Sequence, residues 1–250
     1  MQIIKVGGNE LADPAFLQGL AQSVKAIQKE TKQPIIIVHG GGKAIADLQN
    51  KLGLETKKVD GLRVTDAESM QAAEMILSGH SNKLIVKALL AEGVDALGLS
   101  GIDGGLLRCE KRQHPTADLG FVGDIIEVRA DLLTKLAEQG FTAVISPISL
   151  GFDGNTYNVN ADDGAMAVAL AVKAKLLNFV SNVPGVLQDG ERIPTLTIEE
   201  TEALIEQGVI TDGMIPKVRA ACTAVSQGVA QARIVNLAGL SQSLGTIFNP

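Results

Sequence analysis

The sequence predicts an α/β fold with a mostly parallel sheet covered by helices on both faces. Short apolar runs alternate with helical patterns along the 250 residues. The run Pro34-Ile35-Ile36-Ile37-Val38-His39 is apolar at successive positions, as in a strand buried from above and below. Strand–helix–strand spacing of this kind closes as right-handed crossovers between parallel strands.

The elements follow in order. Gln2-Ile3-Ile4-Lys5-Val6 reads as a strand closed by Gly7-Gly8. Asp13 offers an N-cap and Pro14 a first helical residue, after which Phe16, Leu17, Leu20, Val24 and Ile27 recur at helical spacing. The strand 34–39 stops at Gly40-Gly41-Gly42, and Ala44, Ile45, Leu48 and Leu52 resume the helical period. Further strands are expected over 94–99, 142–148, 176–181 and 233–235. Helices are expected over 67–78, 82–92, 130–139, 161–172, 199–207 and 216–227. Residues 106–128 break the alternation and read as a hairpin or two over one edge of the sheet. The stretch 147–158, with Gly151, Asp153, Gly154 and Asn155, reads as a loop dividing one domain into lobes 1–155 and 156–250.

Composition narrows the function. With 46% hydrophobic and 20% charged residues, the chain has the balance of a soluble globular enzyme. A net charge of −6 argues against sequence-independent binding to nucleic acid or an anionic membrane. Aromatic residues make up only 3%, with no Trp, which removes the stacking platforms used for single-stranded nucleic acid. No apolar run reaches the roughly 20 residues of a bilayer span, and no secretory leader is read, so a cytoplasmic protein is expected. Cys109 and Cys222 lie far apart and read as free, buried fillers in a reducing compartment.

Several patterns point to anion chemistry. Lys5 stands at a strand end just before Gly7-Gly8, and His39-Gly40-Gly41-Gly42 presents backbone amides as a helix begins; both suit a phosphate or an oxyanion. Neither matches the dinucleotide fingerprint or the Walker pattern. Arg63 sits in a turn before a helix, and its guanidinium fork fits a carboxylate. Asn158 and Asn160 share one side of an extended segment, where they either bind a ligand together or cap the helix that follows. Lys217 lies just inside a helix start, where a cation opposes the helix dipole unless an anion is near. His39, His80 and His114 form no cluster, no Cys/His spacing suggests zinc, and no G-x-S-x-G nucleophile is present.

Taken in order, K-V-G-G, V-H-G-G-G, G-L-R-V-T, N-V-N-A-D, S-N-V-P-G-V-L and T-D-G-M-I-P-K resemble the amino acid kinase family along the whole chain. The resemblance implies a three-layer αβα sandwich around an open, mainly parallel sheet of about eight strands. It implies an amino-terminal lobe for the acyl amino acid and for dimerisation, and a carboxyl-terminal lobe for ATP. Within the family the motifs are most similar to the branch of arginine biosynthesis that transfers the ATP γ-phosphoryl group to the side-chain carboxylate of N-acetyl-L-glutamate. That acceptor is already ionised at pH 7 and needs no general base, so catalysis rests on positioning and charge neutralisation.

By the same resemblance, Lys5 and Lys217 stabilise the transferring phosphoryl group and Asp162 holds both lysines. Gly7, Gly8, Gly41 and Gly42 give amides to the phosphoryl group and the reacting carboxylate, while Arg63 and Asn158, with Asn160 nearby, bind the α-carboxylate. Asn182, Val183, Pro184, Gly185, Val186 and Leu187, with the turn Val209, Ile210 and Thr211, border the nucleotide. Mg²⁺ rides on ATP phosphates and water, with no dedicated protein cage. The family often has Asp where Asn182 stands, and relatives acting on carrier-protein-bound acyl amino acids can show S-N-V-P-G here, whereas G-L-R-V-T and N-V-N-A-D favour the free acyl amino acid. A doubly wound oxidoreductase is disfavoured by the missing dinucleotide fingerprint, and an inactive regulatory member of the fold by the presence of Lys5, Asp162 and Lys217. A homodimer is expected, with Met70, Ala73, Met75, Ile76 and Leu77 as a candidate surface. Strong inhibition by arginine is not expected: the first strand begins at Gln2, leaving no residues for the amino-terminal helix of arginine-sensitive relatives, and no carboxylate lies between Gln227 and Pro250.

Overall fold

The computed structural model describes residues 1–59 and 62–250, with the side chains of Lys58, Leu62 and Arg63 outside the description. The strands are β1 (Gln2–Val6), β2 (Ile35–His39), β3 (Lys58–Val59), β4 (Leu62–Arg63), β5 (Ala96–Ser100), β6 (Leu107–Lys111), β7 (Gly123–Val128) and β8 (Thr142–Ser146). They continue as β9 (Ile148–Gly151), β10 (Thr156–Asn158), β11 (Leu176–Ser181), β12 (Leu187–Gln188), β13 (Glu191–Arg192), β14 (Thr195–Thr197), β15 (Ala232–Asn236) and β16 (Thr246–Asn249). The helices are α1 (Pro14–Thr31), α2 (Gly42–Lys51), α3 (Ala67–Glu74), α4 (Asn82–Ala91), α5 (Ala130–Glu138), α6 (Ala161–Ala171), α7 (Ile198–Glu206), α8 (Ile215–Ser226) and α9 (Leu237–Leu240).

Eight strands form the central sheet in the order β14-β16-β15-β11-β1-β2-β8-β5. All neighbours are parallel except β15 and β16. Val6 of β1 is level with His39 of β2 and Val180 of β11, so the carboxyl ends of three central strands open at one height. There the chain order changes direction, the place where open α/β sheets form a ligand crevice. One face of the sheet packs Ile4, Val6, Ile37 and Val235 against Leu20 and Val24 of α1 and Ile85 of α4. The other packs Ile3, Ile36 and Ile234 against Leu133 of α5, Val168 of α6 and Val218 of α8. The expected layered sandwich is therefore present.

Local chemistry sets the element ends. Asp13 caps α1 by accepting from Ala15 N at 2.9 Å, with Pro14 following it. Thr197 and Glu200 form a reciprocal capping box at α7.

Several expectations need correction. The strand expected over 142–148 ends at Ser146: Pro147 lacks an N–H, and the chain restarts as β9 in a different, four-stranded sheet of order β10-β9-β6-β7. The strand expected over 94–99 runs instead from Ala96 to Ser100. The hairpin expected within 106–128 is β6 paired antiparallel with β7, although its partners are β9 and β10. Because β10 pairs with β9, residues 156–158 pack with the strands that precede them, and the loop is confined to the tip at 152–155. The helices expected over 67–78 and 82–92 are joined without a loop by a π-helical segment, Met75–Ser81. The expected dimer stripe also fails as a surface: Met70, Ala73 and Leu77 are buried in a core with Ile45 and Ile148, leaving Met75 exposed.

Candidate active site

The two glycine turns at the ends of β1 and β2 touch. A Cβ on Gly8 would lie 2.5 Å from Gly41 N and 2.7 Å from Gly42 N, so backbone meets backbone there and any side chain is excluded. Gly40 N donates to Val6 O at 2.9 Å and ties the turns together. Gly41 is the N-cap of α2 and caps it with no side chain, leaving the positive end of that helix turned to the crevice.

Around this floor lies a cavity of about 560 Å³ lined by Lys5, Gly7, Gly8, Glu10, Gly41, Gly42, Arg112, Asn158, Asn160, Asp162, Ser181, Asn182 and Lys217. Lys5 leaves β1 toward α6, where its Nζ is 2.9 Å from Asp162 Oδ1. Lys217 Nζ donates to Ser181 Oγ at 2.9 Å and Asn182 Oδ1 at 3.4 Å. Asp162, expected to hold both lysines, contacts Lys5, whereas Lys217 meets Ser181 at the end of β11 and Asn182 just after it. Asn160 Oδ1 accepts from Asp162 N at 2.7 Å and caps α6, so the capping reading of this residue holds while its side chain still lines the cavity. The Asn158 N–H donates to Phe121 O at 2.9 Å, which fixes the end of β10 against the hairpin segment.

A second cavity of about 170 Å³ gathers Val183, Gly185, Val186, Leu187, Val209, Ile210, Thr211 and Met214. The two segments expected to border a nucleotide therefore meet, although Pro184 does not line this space. The side chain of Arg63 and the residues Asp60 and Gly61 of its motif lie outside the described residues, so their expected part in substrate binding has no geometry here.

Sequence reasoning missed Ser181, Glu10 and Arg112. Ser181 stood next to Asn182 and was within reach of a strand-end argument. Arg112 had no local signal: it donates to Asp124 and, at 2.7 Å, to Asp163 at the start of α6, partners set only by tertiary packing. Burial pushes the Cys109 thiol up to about 12 and raises that of Cys222, so both are inert fillers. Among the described residues, no group of three His, Cys, Asp or Glu side chains could hold a metal ion, and no helix is long and apolar enough to cross a membrane.

An open, mainly parallel sheet whose central strand ends present stacked glycine turns between two lysines is an arrangement able to receive a multiply charged anion. The chain belongs to the amino acid kinase family, whose profile matches residues 1–236. It is 51% identical over 247 residues to the acetylglutamate kinase of Roseiflexus castenholzii, covering 98% of this chain and 93% of that one. It is 50% identical over 249 residues to the acetylglutamate kinase of Chloroflexus aurantiacus, covering 99% and 96%. A solved structure from Streptococcus mutans superposes with a TM-score of 0.81 at 28% identity, covering 99% and 98% of the two chains.

Proposed function

We propose that this chain transfers the γ-phosphoryl group of ATP to the side-chain carboxylate of N-acetyl-L-glutamate, giving N-acetyl-L-glutamyl 5-phosphate, as in arginine biosynthesis. The observation that carries the reading is that Lys5, on the strand before the first glycine turn, and Lys217, on a helix far along the chain, line one cavity with both turns. In a phosphoryl transfer, negative charge builds on the transferring oxygens, and two fixed ammonium groups with amide donors stabilise it more in the transition state than in the ground state. Asp162 pairs with Lys5 at 2.9 Å and keeps that ammonium aimed. The acceptor carboxylate is the nucleophile, and no side chain has to remove a proton from it.

Asn158 and Asn160 belong to the acyl amino acid side, where Arg63 completes α-carboxylate recognition. The apolar cavity around Val183 and Ile210 suits the nucleotide base. The amino-terminal lobe then takes the acyl amino acid and the carboxyl-terminal lobe ATP. Magnesium, bound through phosphate oxygens and water, would neutralise charge between the phosphates. Glu10 Oε2, buried beside Gly7 with no hydrogen-bond partner among the described residues, is an oxygen that a magnesium-bound water would satisfy. The free acyl amino acid is favoured over a carrier-bound one by the identity to the two acetylglutamate kinases.

We further propose a homodimer through the free edge of β5, where Leu97 is exposed, Leu90 is exposed on the adjoining α4, and Phe141 is exposed next to the β5 partner Thr142. A cytoplasmic location fits the free cysteines. The test of function is ATP-dependent hydroxamate formation offered N-acetylglutamate, N-acetylaminoadipate, aspartate and glutamate. Product from N-acetylglutamate alone is expected; equal or faster turnover of another acceptor overturns the assignment.

A further inference from the structure

Beneath the second glycine turn runs a buried polar chain that the chemistry above does not use. His39 closes β2 with no exposed surface, and its Nδ1 lies 3.0 Å from Gly40 O. A carbonyl oxygen only accepts, so Nδ1 carries the proton and Nε2 is left as an acceptor. Nε2 lies 3.2 Å from Asn82 Nδ2, whose two N–H groups are shared among Nε2, Val144 O on β8 at 2.9 Å and Leu99 O on β5 at 3.3 Å. Asn82 Oδ1 accepts from Lys83 Nζ at 2.9 Å, which fixes which way the amide points. The Asn82 side chain thus anchors His39 to two further strands of the central sheet.

The unusual element of the fold places this asparagine. Asn82 is the residue immediately after the π-helical segment Met75–Ser81, and such segments recur at functional sites. The same segment walls the glycine turn: a Cβ on Gly41 would lie 2.6 Å from Leu77 Cδ2 and 3.2 Å from Ser81 Oγ.

Peptide geometry supplies the consequence. The C=O of residue 40 and the N–H of residue 41 share one planar trans unit and point in opposite directions. With Gly40 O held by the buried imidazole, the Gly41 N–H turns away from His39 and toward the crevice, where it has no partner among the described residues. A peptide between two glycines has few steric barriers to rotation, so an external hold on its carbonyl decides its direction.

We propose that His39, fixed in its Nδ1–H tautomer by Asn82, is a positioning residue that aims the Gly41 amide at the transferring phosphoryl group or the reacting carboxylate. This rests on the kinase reading above. The imidazole touches no substrate and moves no proton. Burial pushes its pKa down to about 4, with Lys83 adding to the fall and the Gly40 hydrogen bond opposing it, so the neutral ring persists across the working pH range.

The test compares His39→Leu, His39→Asn and Asn82→Ala by steady-state kinetics, thermal melting and crystallography. The Asn side chain can put an amide N–H where Nδ1–H stood; Leu fills the space and donates nothing. His39→Leu is expected to lower kcat by about 10²-fold, the scale of losing one preorganised oxyanion donor, with both KM values within a few-fold. Asn82→Ala is expected to lower kcat by roughly 10-fold and His39→Asn to recover most of the wild-type rate. In the His39→Leu crystal structure the Gly40–Gly41 peptide is expected to be rotated. A folded His39→Leu with wild-type kcat overturns the proposal, as does His39→Asn as slow as His39→Leu despite wild-type melting. Should His39→Leu not fold, an Asn82→Ala enzyme with wild-type kcat overturns it. An unrotated peptide also overturns it, whereas a wild-type chain inactive on N-acetylglutamate with a rotated peptide in the variant would sink only the kinase reading.

Discussion

Replacing Gly8 with alanine tests the site through backbone packing alone. The added Cβ would meet Gly41 Cα, lie 2.5 Å from Gly41 N and 2.7 Å from Gly42 N, where ordinary contact begins at 3.4 Å. The obstructing atoms are main chain, so no rotamer change relieves them, and the two turns must part by about 1 Å. Overpacking of this kind costs about 1–3 kcal/mol, which for a chain of this size lowers Tm by roughly 3–10 °C. A displacement of about 1 Å in groups that position reactants costs on the order of 10²-fold in rate. The expected result is a hundredfold fall in kcat, to about 1% of wild type, for ATP-dependent hydroxamate formation from N-acetylglutamate. Two sister variants calibrate it. A Cβ on Gly7 meets only the Glu10 carboxylate at 2.7 Å, a side chain that can swing away, so a smaller loss is expected. A Cβ on Gly42 meets nothing within 4 Å at the first position of α2, so its Tm should not fall. Gly8→Ala retaining kcat within threefold of wild type, or melting above Gly42→Ala, would refute the stacked-turn reasoning.

Lys217→Ala should reduce kcat by about 10²–10³-fold with little change in the KM for N-acetylglutamate, and an unaltered kcat would remove it from the mechanism. Arg63→Lys should raise the KM for N-acetylglutamate, because an ammonium cannot reproduce the bidentate fork; a rise in the KM for ATP instead would reverse the lobe assignment. Acid stability should depend on His39, whose pKa is about 4 when folded against 6.5 for the free group. The unfolded chain binds the extra proton between those values, so stability falls as pH drops from 6.5 toward 4, by up to about 3 kcal/mol, with no contribution above 6.5. The Tm advantage of wild type over His39→Asn should therefore shrink across that window; a constant difference from pH 7 to 4 would show that the ring does not titrate this way. Light scattering should give twice the 26.1 kDa chain mass for wild type and a single chain for Leu97→Asp, whereas a monomeric wild type rules out the β5-edge dimer.

The inner strands were legible because they are covered on both faces. Ile35 to Val38 are all buried, and a run of that kind has few other places to go in a chain this size. The first helix was legible because Asp13 and Pro14 act on their immediate neighbours. Lys5, Gly8, Gly41 and Lys217, which line one cavity, could be singled out as candidate residues because a lysine or a glycine cluster at an element end is conspicuous against apolar surroundings. The signals that failed were those in which distant chain segments decide. Pro147 ends β8 because it lacks an N–H, and only the second sheet explains why the chain pairs again as β9 just beyond it. The helical stripe over Met70 and Leu77 looks the same whether it faces a partner or its own core, and packing with Ile45 and Ile148 settled which.

What the sequence by itself determined, then, is the alternation of elements, the two-face burial of the sheet and the lysines and glycines placed at its strand ends, since periodicity and capping act over a few residues. Only the tertiary structure decided that Asp162 pairs with Lys5 while Ser181 and Asn182 take Lys217, and that a π-helical segment carries Asn82 to His39. Those contacts join residues far apart along the chain. They depend on sheet order and strand register, which are set by the simultaneous packing of every element and leave no mark in any local window of sequence.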